Sequence, residues 1–404
     1  MRSKLIRISC LLVLALGACS PTQPLANLTG IPVTITSVTV PTKIDTGTPL
    51  PPPPNLPVVL FPTLVLIDFQ DTNHGWGIAS NDGGYILRTV DGGTTWLNAT
   101  PPGLTGIGYS TNLSVLNVNT VWMLVPNVDF FTGLLYHTVD GGLSWTSVTV
   151  PFGGADIQFL DGSTGRALAG RGVGLGSNPV EMYQSSDGGV TWISVFNNDP
   201  TRADTSENLP LSGIKNGMTF LNANTGWVTG TRPVDGEVYL FVTHDGGASW
   251  GQQSIPLPAG YESYQYMPQA PVFFGSDGFL PLMIYLAETT EFTFYSSHDG
   301  GTTWTGNPTN ANRVVTPGQY AFSDALHGWC WDGGSNLYST NNGAQTWGST
   351  LTSLDLNERL SQIDFVPGIG SQFTGWALTN VDEAGHSQLY KSTDNGITWT
   401  QLIH

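Results

Sequence analysis

One phrase recurs seven times at near-regular spacing, and it limits what this chain can fold into more than any other feature. Thr89-Val-Asp-Gly-Gly-Thr-Thr-Trp96 is followed by Thr138-Val-Asp-Gly-Gly-Leu-Ser-Trp145, Ser185-Ser-Asp-Gly-Gly-Val-Thr-Trp192 and Thr243-His-Asp-Gly-Gly-Ala-Ser-Trp250. Then come Ser297-His-Asp-Gly-Gly-Thr-Thr-Trp304, Thr340-Asn-Asn-Gly-Ala-Gln-Thr-Trp347 and Ser392-Thr-Asp-Asn-Gly-Ile-Thr-Trp399. The tryptophans Trp96, Trp145, Trp192, Trp250, Trp304, Trp347 and Trp399 are 49, 47, 58, 54, 43 and 52 residues apart. That period suits one four-stranded blade and exceeds a leucine-rich or ankyrin unit. Seven phrases therefore predict an all-β, seven-bladed β-propeller of four-stranded antiparallel blades, one closed body rather than the two or three domains that 404 residues would otherwise suggest.

The phrase, called the box below, has a local physics. Asp followed by Gly-Gly supplies a side chain that bonds its own turn and residues that accept positive φ, so the chain reverses between two strands. The Ser or Thr two residues earlier can bond the same turn, and the Trp can cover the hairpin. Six boxes carry Asp91, Asp140, Asp187, Asp245, Asp299 and Asp394, and Asn342 fills the seventh. An amide serving equally well argues for a structural role and against metal ligation.

A second phrase precedes most boxes: Asp68-Phe-Gln-Asp-Thr-Asn-His-Gly-Trp76, Phe220-Leu-Asn-Ala-Asn-Thr-Gly-Trp227, Phe322-Ser-Asp-Ala-Leu-His-Gly-Trp329 and Phe373-Thr-Gly-Trp376. It reads as an inner strand ending in Phe, a polar turn and a second strand opened by Gly-Trp. In the third unit Arg166 replaces the Trp, and units two and five keep traces in Val121-Trp122 and Phe274-Gly-Ser-Asp-Gly-Phe279.

Together the two phrases resemble the BNR or Asp-box superfamily, and most of all the photosystem II assembly and stability factor-like propellers, over about residues 62 to 404. The resemblance implies a propeller whose boxes lie at the blade periphery, on a fold that serves sialidases, sortilin-like receptors, xyloglucanases and assembly factors alike. In the sialidase branch it would imply an arginine triad, a Tyr nucleophile with a Glu partner and an Arg-Ile-Pro phrase. No Arg-Ile-Pro occurs here, and the domain has only Arg88, Arg166, Arg171, Arg202, Arg232, Arg313 and Arg359. The assembly-factor branch implies a protein-binding propeller with a basic, arginine-rich face, from which this acidic chain departs.

The N-terminus sets the compartment. Arg2, Lys4 and Arg7 precede an apolar run from Ile8 to Leu16, too short to span a bilayer, and then Leu16-Gly-Ala-Cys19. This reads as a signal peptide over residues 1–18, and its end resembles a bacterial lipobox, which implies acylation of Cys19 and export to the outer side of the cell membrane. Residues 19–57, rich in Pro and Thr, read as a tether, with an extra N-terminal strand that closes the propeller as the alternative; the propeller itself takes 58–404. Loss of the leader takes the formal charge from -17 to -20, which keeps the domain dispersed and repels nucleic acid. Cys330, between Trp329 and Trp331, reads as a small buried hydrophobe.

No metal spacing, phosphate loop or nucleophile motif stands out, so no metal, cofactor or nucleic-acid partner is expected. The weak catalytic candidates are Asp68 and Asp364, carboxylates on inner strands that could act across a channel. The better signal is in two long connections between an outer strand and the next inner one, which should emerge opposite the boxes. Phe196 to Pro210 supplies Arg202, Asp204 and Glu207; Pro258 to Met267 supplies Tyr261, Glu262, Tyr264 and Tyr266. Clustered tyrosines with a few charges suit a protein or glycan contact surface, the alternative being rings packed down over the channel mouth. The expected function is a membrane-anchored, non-catalytic binding or assembly module, with a carbohydrate-active enzyme, sialidase-like or another glycoside hydrolase, as the alternative.

Overall fold

The structure, a computed structural model, describes residues 56–80, 83–107, 110–174, 176–206, 208–286, 290–306, 314–315, 319–355 and 360–403. The leader, Cys19, the tether up to residue 55, Glu207, Arg313 and Arg359 lie outside the described residues.

Seven antiparallel sheets follow one another along the chain as blades 1 to 7 of a β-propeller. The inner strands are Leu64–Phe69, Asn112–Val115, Ala155–Phe159, Ile214–Phe220, Gln265–Pro268 with Val272–Phe274, Tyr320–Phe322 and Leu360–Pro367. The outer strands are Trp96–Asn98, Thr146–Val150, Ile193–Asn197, Gly251–Gln252, Thr305–Gly306, Gly348–Thr350 and Thr400–Ile403. Two blades exceed the expected four strands. Blade 5 splits its inner strand in two and pairs Val314–Val315 with its third strand. Blade 1 gains Val58–Val59, antiparallel to its own outer strand.

That extra strand decides how the ring closes. Blade 7 consists of four consecutive strands from the C-terminal end, so the N-terminal strand decorates blade 1 instead of completing blade 7. Closure is by packing: Phe69 of blade 1 stacks on Trp376 of blade 7 with ring centroids 3.6 Å apart, in a cluster with Leu64, Ile67, Trp96, Leu378, Leu389 and Ile403.

The same joint recurs around the ring. The aromatic near the start of the second strand, after Gly or, in blade 2, after Val121, packs on the inner-strand Phe of the next blade: it lies flat in Trp122 on Phe159 at 3.8 Å, Phe279 on Phe322 at 4.1 Å and Trp329 on Phe365 at 3.9 Å, and is inclined by 30° in Trp227 on Phe273 at 4.9 Å. Arg166 substitutes a guanidinium, 5.3 Å above the Phe220 ring, and Trp76 meets Val115 in one cluster. The box Trp of the same blade as the Phe then packs edge-on, as Trp96 does on Phe69 at 6.0 Å and Trp399 on Phe365 at 6.0 Å. Each aromatic pair adds about 0.5–1.5 kcal/mol beyond its buried area, so the ring closes on stacking repeated at most joints.

The Gly of Gly-Trp is a packing residue. A Cβ at Gly75 would lie 2.7 Å from Phe69, because the Phe ring of the same blade folds back over that strand. These glycines open second strands at Gly75, Gly226 and Gly328, as the second phrase predicts. Phe373 is a correction: it opens the second strand of blade 7, and Phe365 holds the inner-strand position.

Candidate functional site

The box turns are closed hydrogen-bond units. In blade 1, Thr89 Oγ1 donates to Asp91 Oδ1 (2.9 Å) and accepts from Gly93 N (2.8 Å), while Asp91 accepts from Thr95 N (2.9 Å) and Thr95 Oγ1 (2.6 Å). The geometry repeats at Asp140, Asp187, Asp245, Asp299 and Asp394. At Asn342 the last bond reverses: its Nδ2 donates to Thr346 Oγ1 (2.8 Å). Hydrogen bonds from the Thr191 hydroxyl and amide hold the Asp187 carboxyl down to about 2. Every box carboxylate is thus engaged by its own turn.

The box also docks blades, a role outside the local reading of the phrase. The carbonyl of the residue after the box Asp faces the preceding blade, where Gly92 O accepts from Trp376 Nε1 (2.9 Å), Gly188 O from Trp122 Nε1 (2.8 Å) and Asn395 O from Trp329 Nε1 (3.0 Å). Arg88 and Gln184 make the equivalent bond to Gly141 and Gly246, and Gln253 bonds the second glycine of its box, Gly301.

The two inner-strand acids lie on the neighbouring inner strands of the blade 7–blade 1 joint. Asp364 Oδ2 accepts from Phe69 N (2.8 Å), and Gln362 bonds both the N–H and the carbonyl of Ile67. Asp68 Oδ1 accepts from Gln70 Nε2 (2.6 Å). Ser114 Oγ and Gln158 Oε1 serve Phe159 N (2.9 Å) and Phe220 N (2.7 Å) in the same way at other joints. An inner strand has no ladder partner on its channel side, and these side chains supply acceptors for its N–H groups. Asp68 and Asp364 are 6% and 1% exposed.

At the opposite ends of the blades lie the connections from second to third strand and from outer strand to the next inner one. Antiparallel pairing places both kinds there, and backbone bonds tie them together: Gly153 and Gly154 N to Phe130 O, and Gly236 N to Tyr264 O. In the connection after blade 3, Arg202 reaches Glu181 Oε1 (3.1 Å) and grips both oxygens of Asp204 (3.0 and 2.9 Å). Glu181, 3% exposed, also takes Arg171 (2.7 Å) and Ser194 (2.6 Å). Arg202 and Asp204 thus brace their own loop against blade 3. In the connection after blade 4, Tyr261 and Tyr264 stand half-buried with rings 5.5 Å apart, and Glu262 is exposed. Tyr266 is fully buried, its hydroxyl donating to Tyr261 O, so it belongs to the core rather than to a contact surface.

Electrostatics narrow what this face can hold. Each described cation is already engaged: Arg88 and Arg166 on box-end carbonyls, Arg171 and Arg202 on Glu181, Arg232 on Glu237, and Lys391 on Thr72 O. Lys215 Nζ donates to the carbonyls of Asn178 (2.9 Å), Pro210 (2.6 Å), Leu211 (2.9 Å) and Gly213 (3.2 Å), and burial brings it down to about 7. No group of three or more His, Cys, Asp or Glu able to hold a metal occurs among the described residues.

Sequence reasoning missed a second group on this face. In the blade 2 connection 127–132, Val128 is fully exposed and Phe130 and Phe131 are 51% and 54% exposed. Phe130 has φ 59°, costly for a non-glycine residue, and its carbonyl is pinned by Gly153 and Gly154. Arg171 Nη1 donates to Phe131 O, and exposed Val173 follows two residues after that arginine. The available signal was Val128-Asp-Phe-Phe-Thr-Gly133, adjacent aromatics in a segment bounded by Asn and Gly.

Fold and joints define a seven-bladed β-propeller with box-closed blades. No family model matches the chain, and no curated protein matches it. Solved structures do. YCF48 from Cyanidioschyzon merolae is 17% identical over 84% of this chain and 97% of its own, with TM-score 0.50. The GH74 enzyme of Niastella koreensis is 15% identical over 86% and 67%, TM-score 0.50, and a PL25 ulvan lyase 10% identical over 86% and 95%, TM-score 0.51. The likeness is one of fold.

Proposed function

We propose that this chain is a binding or assembly module, exported and held to the outer side of the cell membrane by a lipid on Cys19, whose loop face takes a protein segment or a glycan of neutral or cationic character. The observation that carries the reading is the display of Phe130 and Phe131 on a backbone tied down by Gly153 and Gly154, on the same side as Tyr261 and Tyr264. Exposed aromatics on rigid backbone present contact area at little entropic cost. With each described cation engaged within the chain and a formal net charge of -17, anionic partners find little grip. Glu262 offers a carboxylate beside the tyrosines.

A catalytic reading has one observation in its favour, the placement of Asp68 and Asp364 on adjacent inner strands. Their burial and the Phe69 N–H bond oppose it. The mature chain is to be screened on an array of neutral glycans and basic peptides and against fluorogenic glycosides. Binding weakened at least tenfold by Phe131→Ala or Tyr261→Ala, and unmoved by Asp364→Asn, is expected. Turnover abolished by Asp364→Asn sinks the reading.

A further inference from the structure

Tyr261 and Tyr264, in the connection after blade 4, are held in place from several sides. Tyr261 N donates to Pro258 O (3.1 Å) and Tyr264 N to Tyr261 O (3.2 Å), and the buried Tyr266 hydroxyl also donates to Tyr261 O. From the neighbouring connection, 232–239, Gly236 N donates to Tyr264 O (2.9 Å). Both rings pack on the core cluster that contains Trp227, Ile255, Leu280 and Trp304. The rings are half-buried, with centroids 5.5 Å apart, and are inclined by 49° rather than stacked. A group seated over the pair therefore comes within about 6 Å of both centroids, the range in which a cation is attracted to an aromatic face.

The charge around the pair is negative. Glu262 is exposed, and N–H groups of its own backbone and of Gly260 hold its carboxyl below the usual carboxylate range. Asp235, also exposed, precedes the Gly236 that bonds Tyr264 O. Arg232, the cation of the same connection, is paired with Glu237. From residue 233 to residue 312 the sequence has eight Asp or Glu and no Lys or Arg, the longest stretch of the chain without a basic side chain of either kind. Such a field draws cations toward the pair.

We propose that Tyr261 and Tyr264, with Glu262 and Asp235 beside them, take a Lys or Arg side chain of a partner polypeptide. The ring faces hold the charge and the carboxylates accept its N–H groups. A carboxylate has about four acceptor positions, so Glu262 keeps capacity beyond its backbone bonds. A quaternary ammonium has no N–H to give these carboxylates, and a basic side chain uses them fully. Backbone fixed under both rings lowers the cost of ordering them on binding. This site presupposes that the loop face is a binding surface, and it narrows the partner to a polypeptide with an accessible basic residue.

The test uses the full chain and two capped nonapeptides of Gly and Leu, one with a central Lys and one with a central Arg, each beside its neutral counterpart carrying ε-N-acetyl-lysine or citrulline. In calorimetric titrations at low salt, at least one charged peptide is expected to bind at least tenfold more tightly than its neutral counterpart and to weaken as salt is raised. Tyr261→Ala and Tyr264→Ala are each expected to weaken it at least tenfold, Tyr264→Phe less than threefold because the ring remains, and Glu262→Gln combined with Asp235→Asn at least threefold. The neutral peptides test the cation without altering the protein, so the result does not hang on a variant's folding. Equal binding of charged and neutral peptides, no binding of either charged peptide, or binding unmoved by both alanine variants overturns the site, as does choline bound as tightly as the charged peptides. The binding surface itself then still stands if Phe131→Ala weakens another ligand of the loop face, and falls as well if no ligand responds to that change.

Discussion

At the box end of the blades, the turns between third and outer strands are six or seven residues long in every blade, and their polar side chains are consumed within the turn while a glycine carbonyl meets the neighbouring blade. At the loop end, the connections between blades run from four residues after Val150 to 16 after Asn197 and carry the half-buried Tyr261 and Tyr264, while the connection within blade 2 carries the exposed Phe130 and Phe131. The difference teaches that repetition here marks architecture and departure from repetition marks the surface free to take on a function. A residue that must fit the same joint seven times cannot also be tuned to one partner.

That contrast can be broken or sharpened by substitution. The largest loss belongs to the joints: Trp376→Ala removes the stack on Phe69 and the bond to Gly92 O, and is expected to cost about 3–5 kcal/mol by denaturant unfolding. On the loop side, Glu181→Ala strands Arg171 in a largely buried setting and is expected to cost about 3 kcal/mol. An effect near zero would show the loop after blade 3 to be held without its ion pairs. Thr89→Val leaves the buried Gly93 N–H without its acceptor, for an expected 1–3 kcal/mol or so.

Acid should loosen the box turns, as it should the Arg202–Asp204 pair of the loop end, where Asp204 is also held down to about 2. Asp187 sits at about 2 against an ordinary 3.8, so its contribution is full above about pH 4 and is lost as pH falls toward 2. Melting followed by circular dichroism is expected to fall most steeply between pH 4 and 2. Asp187→Asn, which copies the Asn342 box, should fold and lose less on acidification; a steeper loss would contradict the turn chemistry. The smallest stability change is expected for Phe131→Ala, within about 0.5 kcal/mol, yet with at least tenfold weaker binding of any ligand the loop face takes. Equal losses of stability and binding would erase the distinction between the two ends.

The sequence made the blades legible because each box is a local unit: Ser or Thr, Asp or Asn and Gly within five residues close their own hydrogen bonds. Asp364 was less legible. Its place on an inner strand could be read, but its partner, Phe69 N, lies 295 residues away. Tyr266 was misread because three tyrosines within six residues look alike until strand register turns one inward. Phe130 and Phe131 went unnoticed because an aromatic pair between strands reads as ordinary core until its exposure is known.

Blade number, the position of the box turns and the acidity of the surface were thus determined by the sequence alone, since each depends on residues close in the chain or on a sum over them. Only the tertiary structure decided that the ring closes by stacking Phe69 on Trp376 rather than by sharing a strand, that Val58–Val59 covers blade 1, and which rings face solvent. Those outcomes depend on contacts between segments hundreds of residues apart, and no periodicity within a blade encodes which neighbour the last blade meets.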